Sequence, residues 1–145
     1  MEFLNKKANI VFGELLNRIS EGYLKIKNDP FMPLTVENIG SNIETPWGTA
    51  GLFSLCHYYE MNGDLMQAPE MCFLVIDQRH TFKADYDQLK VIPYLYRQAD
   101  LAIYEESVII ENAKLTKFRR DKQKAHTEFA NLWLINIREQ GFLIA

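Results

Sequence analysis

The chain reads as an α+β fold: an N-terminal helix, a largely antiparallel five-stranded meander sheet and a long C-terminal helix, with both helices packed on one face of the sheet. Three observations predict this. Apolar residues recur at helical spacing near both ends of the chain. Between them, apolar and aromatic runs are punctuated by Pro, Gly and Asn turn residues. Most of these runs are joined by short connections, which antiparallel neighbours allow and parallel ones do not. No repeat, low-complexity stretch or linker divides the sequence, so residues 1–145 are expected to form one domain.

The first helix is expected from Phe3 to about Glu21, on the stripe Leu4, Ala8, Val11, Phe12, Leu15, Leu16 and Ile19, with Gly22 closing it. After the breaker Asn28-Asp29-Pro30, Phe31 to Ile39 reads as a strand at an edge or with an irregular start, because Pro33 cannot donate to a ladder. Gly40 to Gly51 reads as a loop and Leu52 to Glu60 as the second strand. Met61-Asn62-Gly63-Asp64 is a hairpin turn, since Asn and Gly tolerate positive φ. Pro69 delays re-entry, so the third strand is expected from Glu70 to Ile76. Tyr86 to Leu89 reads as a short helical turn. Val91 to Arg97 and Leu101 to Glu106 form a second hairpin around Gln98-Ala99-Asp100. A helix from about Ala113 to Gln140, ended by Gly141, closes the chain, with Phe129, Leu132 and Trp133 mostly in its core stripe.

Composition narrows the function classes. Apolar residues make up 48% and charged residues 24%, proportions of a folded chain rather than a disordered one. The net charge of −3 gives no bulk attraction to nucleic acid or anionic lipid, which leaves only a local basic patch for that purpose. No apolar run approaches the ~18 residues of a membrane span, and the N-terminus lacks the order of a signal peptide. The two cysteines, Cys56 and Cys72, lie in apolar stretches without CxxC spacing, which fits buried free thiols in a reducing cytoplasm. No motif calls for a cofactor or metal, and GxSxG, HExxH and GxxxxGK[ST] are all missing.

Three groups of residues are candidates for a binding role. The first is the hairpin group His57, Tyr59, Glu60, Asn62, Asp64 and Glu70. Its carboxylates and histidine would hold a metal or act as acid and base if they converged. The plainer reading makes Asn62 and Asp64 turn residues and His57 a sheet residue. Cys56 and His57 are neighbours on a strand and point to opposite faces, so they do not pair as nucleophile and base. The second group is an aromatic face of Tyr94, Tyr96 and Tyr104, set by alternation opposite Val91, Leu95, Leu101 and Ile103. Such a face suits a binding surface, and equally the outer side of an ordinary sheet. The third is a basic patch of Lys117, Arg119, Arg120 and Lys124 on the C-terminal helix, fit for phosphates or simply solvated. His80 and His126 sit in polar stretches without suggestive neighbours.

Several stretches resemble a known family. They are Gly22-Tyr23-Leu24-Lys25-Ile26 with Pro30-Phe31-Met32-Pro33-Leu34, and His57-Tyr58-Tyr59-Glu60-Met61-Asn62-Gly63-Asp64-Leu65-Met66 with Pro69-Glu70-Met71. The end, Trp133-Leu134-Ile135-Asn136-Ile137-Arg138-Glu139-Gln140-Gly141-Phe142, joins them. Together they look like a family of small bacterial domains of unknown function found on plasmids and conjugative elements, sometimes within larger mobile-element proteins. The resemblance implies no reaction. That family tends to carry an acidic residue near position 68, where this chain has Ala68, a departure that weakens a metal site at the hairpin. The leading expectation is a non-catalytic protein-binding or accessory module, with nucleic-acid binding and a hydrolase-like or metal-dependent enzyme as alternatives.

Overall fold

A computed structural model describes the backbone of residues 1–145 and every side chain except those of Met61, Leu65 and Gln67. The helix α1 spans Lys6–Asn17 and α2 spans Arg120–Glu139. The strands are β1 Tyr23–Asn28, β2 Phe31–Thr45, β3 Gly48–Met61, β4 Asp64–Asp77, β5 Leu89–Gln98, β6 Ile103–Glu106, β7 Val108–Glu111 and β8 Lys114–Phe118. The fold class is α+β as expected, but the sheet has eight strands, not five. It is mixed: β2 pairs β8 in parallel at Glu44 and Lys114, while the other pairings are antiparallel.

Helix α1 starts at Lys6 because Asn5 caps it, its Oδ1 accepting from the Ala8 amide at 2.9 Å. It ends at Asn17, short of the expected Glu21. Glu21 and Gly22, both at positive φ, instead make a tight turn into β1, with Ser20 and Tyr23 exchanging backbone hydrogen bonds. The expected Gly40–Gly51 loop is strand for most of its length. The β2 and β3 ladder runs through it with irregularities near Gly40 and turns only at Pro46 and Trp47. There Thr45 Oγ1 accepts from the Trp47 amide and donates to the Gly48 carbonyl. Strand β4 also starts earlier than expected, because Ala68 and Pro69 sit in a register break opposite His57, where proline's missing N–H costs the ladder nothing.

The strand order is β6-β5-β4-β3-β2-β8-β7, with β1 paired to β2. The two end strands of that list, β6 and β7, are consecutive in sequence with only Ser107 between them. The sheet must therefore curl until its ends meet at that residue, whose amide donates to the Tyr94 carbonyl at 2.8 Å.

Each face of the curled sheet has its own core. On the outer face, α1 and α2 lay Val11, Phe12, Leu15, Trp133, Leu134 and Ile137 over Leu34, Leu55, Met71, Phe73 and Val91. Inside the curl, Ile43, Cys72, Leu74, Ile76, Ile92, Tyr94 and Leu95 meet Val108, with Ile110, Leu115 and Phe118 from β7 and β8 packed against them. Both helices thus lie on one face, as the apolar stripes implied. Helix α2 has 20 residues and runs ~30 Å. Its expected first turns belong to β8, where Leu115 and Phe118 turn inward and the lysines outward.

Candidate functional site

The hairpin closes as its sequence demands. Asn62 and Gly63 have φ of 54° and 84° and form a two-residue turn between paired Met61 and Asp64. Beyond that, the six hairpin candidates do not form one site. Glu60, Asn62 and Asp64 are exposed at the tip. His57 is buried on the helix side, its Nδ1 bonded to the Met32 carbonyl at 3.0 Å and its ring against Trp133 and Phe142. Tyr59 is half-buried, and its hydroxyl has no partner among the described residues. Glu70 faces the other side of the sheet, because it pairs across the ladder with Cys56 rather than with His57. It accepts a hydrogen bond from Ser54 Oγ at 2.6 Å, with Arg97 Nη1 4.0 Å away. Alternation along each strand separates the histidine from Glu70. Among the described residues, no three His, Cys, Asp or Glu side chains are gathered so as to hold a metal ion.

The tyrosine face is corrected by one residue. Strand β4 pairs Cys72 with Leu95 and Phe73 with Pro93, so Tyr94 is an extra residue on β5. A bulge of this kind shifts every later side chain to the opposite face. Tyr94 is buried inside the curl. Tyr96 lies under α2, stacked on His126 and edge-on to Phe129. Tyr104 is exposed on the other face, where it donates to Glu106 at 2.7 Å. The three rings offer no common stacking platform.

The basic candidates are all exposed, but they span a joint rather than one helix. Lys117 is on β8, Arg119 is the N-cap of α2, Arg120 its first residue and Lys124 lies in its second turn.

The thiols are quiet. Burial, aided by the Glu70 charge, pushes both Cys56 and Cys72 up to about 12, which leaves them as thiols at neutral pH. The buried histidines are pushed the other way. Burial lowers His57, against the pull of the Pro33 and Met32 carbonyls, and it lowers His126 against the neighbouring Glu105. The folded chain therefore binds these protons less readily than the unfolded chain does, for which the ordinary value is 6.5. Stability is full above that value and declines as pH falls through it toward the folded-state values. Urea unfolding is expected to show a lower midpoint at pH 5.5 than at pH 7.5, and His57→Asn to shrink the difference. Equal midpoints would show that neither ring resists protonation.

Two features escaped sequence reasoning. Helix α2 buries Gln123, His126, Thr127, Ala130, Trp133, Leu134 and Ile137, a stripe too narrow to include Phe129 and Leu132. Leu132 is 70% exposed and Phe129 38%. With Ala125 and Asn136, also exposed, they form a ridge spaced four, three and four residues along the outer side of the helix. The second feature is His126 itself, in the buried stripe near the start of α2. Its partners, Ser107 and Glu105, come from the seam where the sheet ends meet. Only the hydrophobic period could have flagged it, as a polar residue on the core side.

These observations define the class: an α+β fold with a curled, mixed eight-stranded sheet, two helices on one face and an exposed ridge on the second helix centred on the apolar pair Phe129 and Leu132. The chain belongs to the family described as a domain of unknown function, DUF6908, whose model matches residues 6–143. No curated protein and no solved structure matches it.

Proposed function

We propose that this is a non-catalytic protein-binding or accessory module that docks a partner on the outer ridge of α2. The observation that carries the reading is the exposure of Leu132 and Phe129 in the middle of a 20-residue helix. A single exposed leucine needs no explanation, whereas clustered apolar groups indicate an interaction surface. Phe129 contacts Tyr96 and Trp133, and from Trp133 ring contacts continue through His57 and Phe142 to Phe31. Phe31 and Met32 are themselves partly exposed, so apolar surface is found at both ends of this run. Lys124, Glu128 and Arg138, exposed on the same helix, supply a charged surround. The partner that fits is an amphipathic helix or an apolar groove with mixed charges at its rim.

On this reading the module works in the bacterial cytoplasm, as the resemblance to domains carried on mobile elements suggests, and the two buried free cysteines support a reducing compartment. A photo-crosslinking amino acid at position 132, introduced in the native host, is expected to give a discrete adduct that Phe129→Asp abolishes. The same adduct from exposed Lys27 would remove the ridge as its cause.

A second reading, nucleic-acid binding, is favoured by the exposure of Lys117, Arg119, Arg120 and Lys124 around one joint. It requires oligonucleotide binding that weakens with salt and is lost on Arg119→Glu with Arg120→Glu. It has no support from the tyrosines.

A further inference from the structure

The start of α2 has no side-chain cap. Arg119 stands at the N-cap, and a guanidinium offers no acceptor to the free amides of the first turn. An open cavity of about 580 Å³ lies at this end, walled by Arg119, Arg120, Lys122 and His126 from the helix and by Glu105 from β6. Asp121 also lines it, so three formal positive charges meet two carboxylates beside the positive end of the helix dipole. Arg119, Lys122 and His126 are spaced three and four residues apart and share one side of the helix.

His126 supplies an independent sign of a ligand. Its side chain is 6% exposed, and Nδ1 lies 2.8 Å from Ser107 Oγ. The serine hydroxyl is 3.3 Å from the Tyr94 carbonyl, so we assign its proton to the shorter contact and the ring proton to Nε2. Nε2 is buried without a hydrogen-bond partner among the described residues. It faces Glu105 Oε1 at 3.9 Å, while Glu105 Oε2 lies 3.6 Å from Lys122 Nζ, both too long for hydrogen bonds. Glu105, with its side chain 44% exposed, is a loosely held carboxylate where a stronger acceptor would satisfy the helix end, the lysine and the ring together.

We propose that this cavity binds a single phosphate group, either free phosphate or a phosphate carried on a larger ligand, with Glu105 swinging aside to admit it. The site borders the α2 ridge at Ala125, which lines both, but does not depend on the ridge as a docking surface.

The test is an amide NMR titration of the full chain with inorganic phosphate, at constant ionic strength against chloride. Saturating shifts confined to Arg120, Asp121, Lys122 and the His126 ring are expected. Glu105→Gln is expected to tighten binding about 10-fold, and Arg119→Gln with Arg120→Gln to weaken it about 10-fold, the size of one charge-assisted contact. Shifts that fail to saturate or scatter over surface lysines would overturn the proposal, as would weaker binding in Glu105→Gln. A short oligonucleotide without terminal phosphates separates the sources. The same shifts at lower concentration place the phosphate in a nucleic-acid backbone, and their absence assigns the site to free phosphate or a phosphomonoester.

Discussion

Replacing Gln123 with leucine is expected to destabilise the fold by about 2–4 kcal/mol, although the two side chains are similar in size and the site is buried. Gln123 lies in the first turns of α2 with no exposed surface. Its Nε2 donates one proton to the Glu2 carbonyl at 2.8 Å and shares the other between the Pro93 carbonyl and Thr127 Oγ1, at 3.2 and 3.1 Å, and its Oε1 accepts from the Glu2 amide at 2.8 Å. One amide thus ties the N-terminal segment, β5 and α2 together. Leucine would leave the Pro93 carbonyl without this donor in an apolar setting, and an unpaired buried group costs ~1–3 kcal/mol. The check is the urea midpoint, read together with amide exchange at Leu4, whose N–H bonds to the Val91 carbonyl. Faster exchange at Leu4 with a lower midpoint is the expected pair of results. An unchanged midpoint would mean that the N-terminal segment does not depend on this amide.

A larger loss, about 3–5 kcal/mol, is expected for Phe73→Ala. Phe73 is fully buried on β4, and its ring centroid lies 4.7 Å from that of Phe12 on α1. Truncation removes the floor on which α1 rests and opens a cavity that backbone on both sides holds in place. Total stabilities of domains this size are ~5–15 kcal/mol, so the variant would lie near its unfolding threshold. Phe82, 70% exposed in the loop before β5, is the internal contrast: Phe82→Ala is expected to change stability by about 0.5 kcal/mol or less. Comparable losses at the two positions would contradict the placement of α1 on the sheet.

What the sequence made legible follows from how local each signal is. The α1 stripe, the Asn62-Gly63 turn, the short helical turn at Tyr86 and the glycine ending α2 each rest on a few adjacent residues, and all are present. Strand β1 was not legible, nor were the two short strands β7 and β8, which form a hairpin. Their turn, Asn112-Ala113, puts alanine at a φ of 58°, and Lys114 to Phe118 is built of residues that also suit a helix. Those strands exist because Leu115 and Phe118 fill the inside of the curl, which is a tertiary demand. The Tyr94 bulge escaped for a similar reason: it is a property of the β4 and β5 pairing and leaves no mark in β5 alone. The candidate sites suffered most. His57 and Glu70 are 13 residues apart in sequence yet lie on opposite faces of the sheet, while His126, Ser107 and Glu105, from separate elements, converge.

Phe129 and Leu132 illustrate the same limit from the other side. Both fit a helical period, which assigns them to the core, yet the buried stripe of α2 passes them by. If the ridge is kept for a partner, Leu132 does little for the fold. Urea unfolding of Leu132→Ser beside the parent chain measures this directly. A midpoint equivalent to within about 0.5 kcal/mol of the parent is expected. A loss of about 2 kcal/mol or more, the cost of removing a buried leucine, would show that Leu132 belongs to the core and contradict the ridge as a free docking surface.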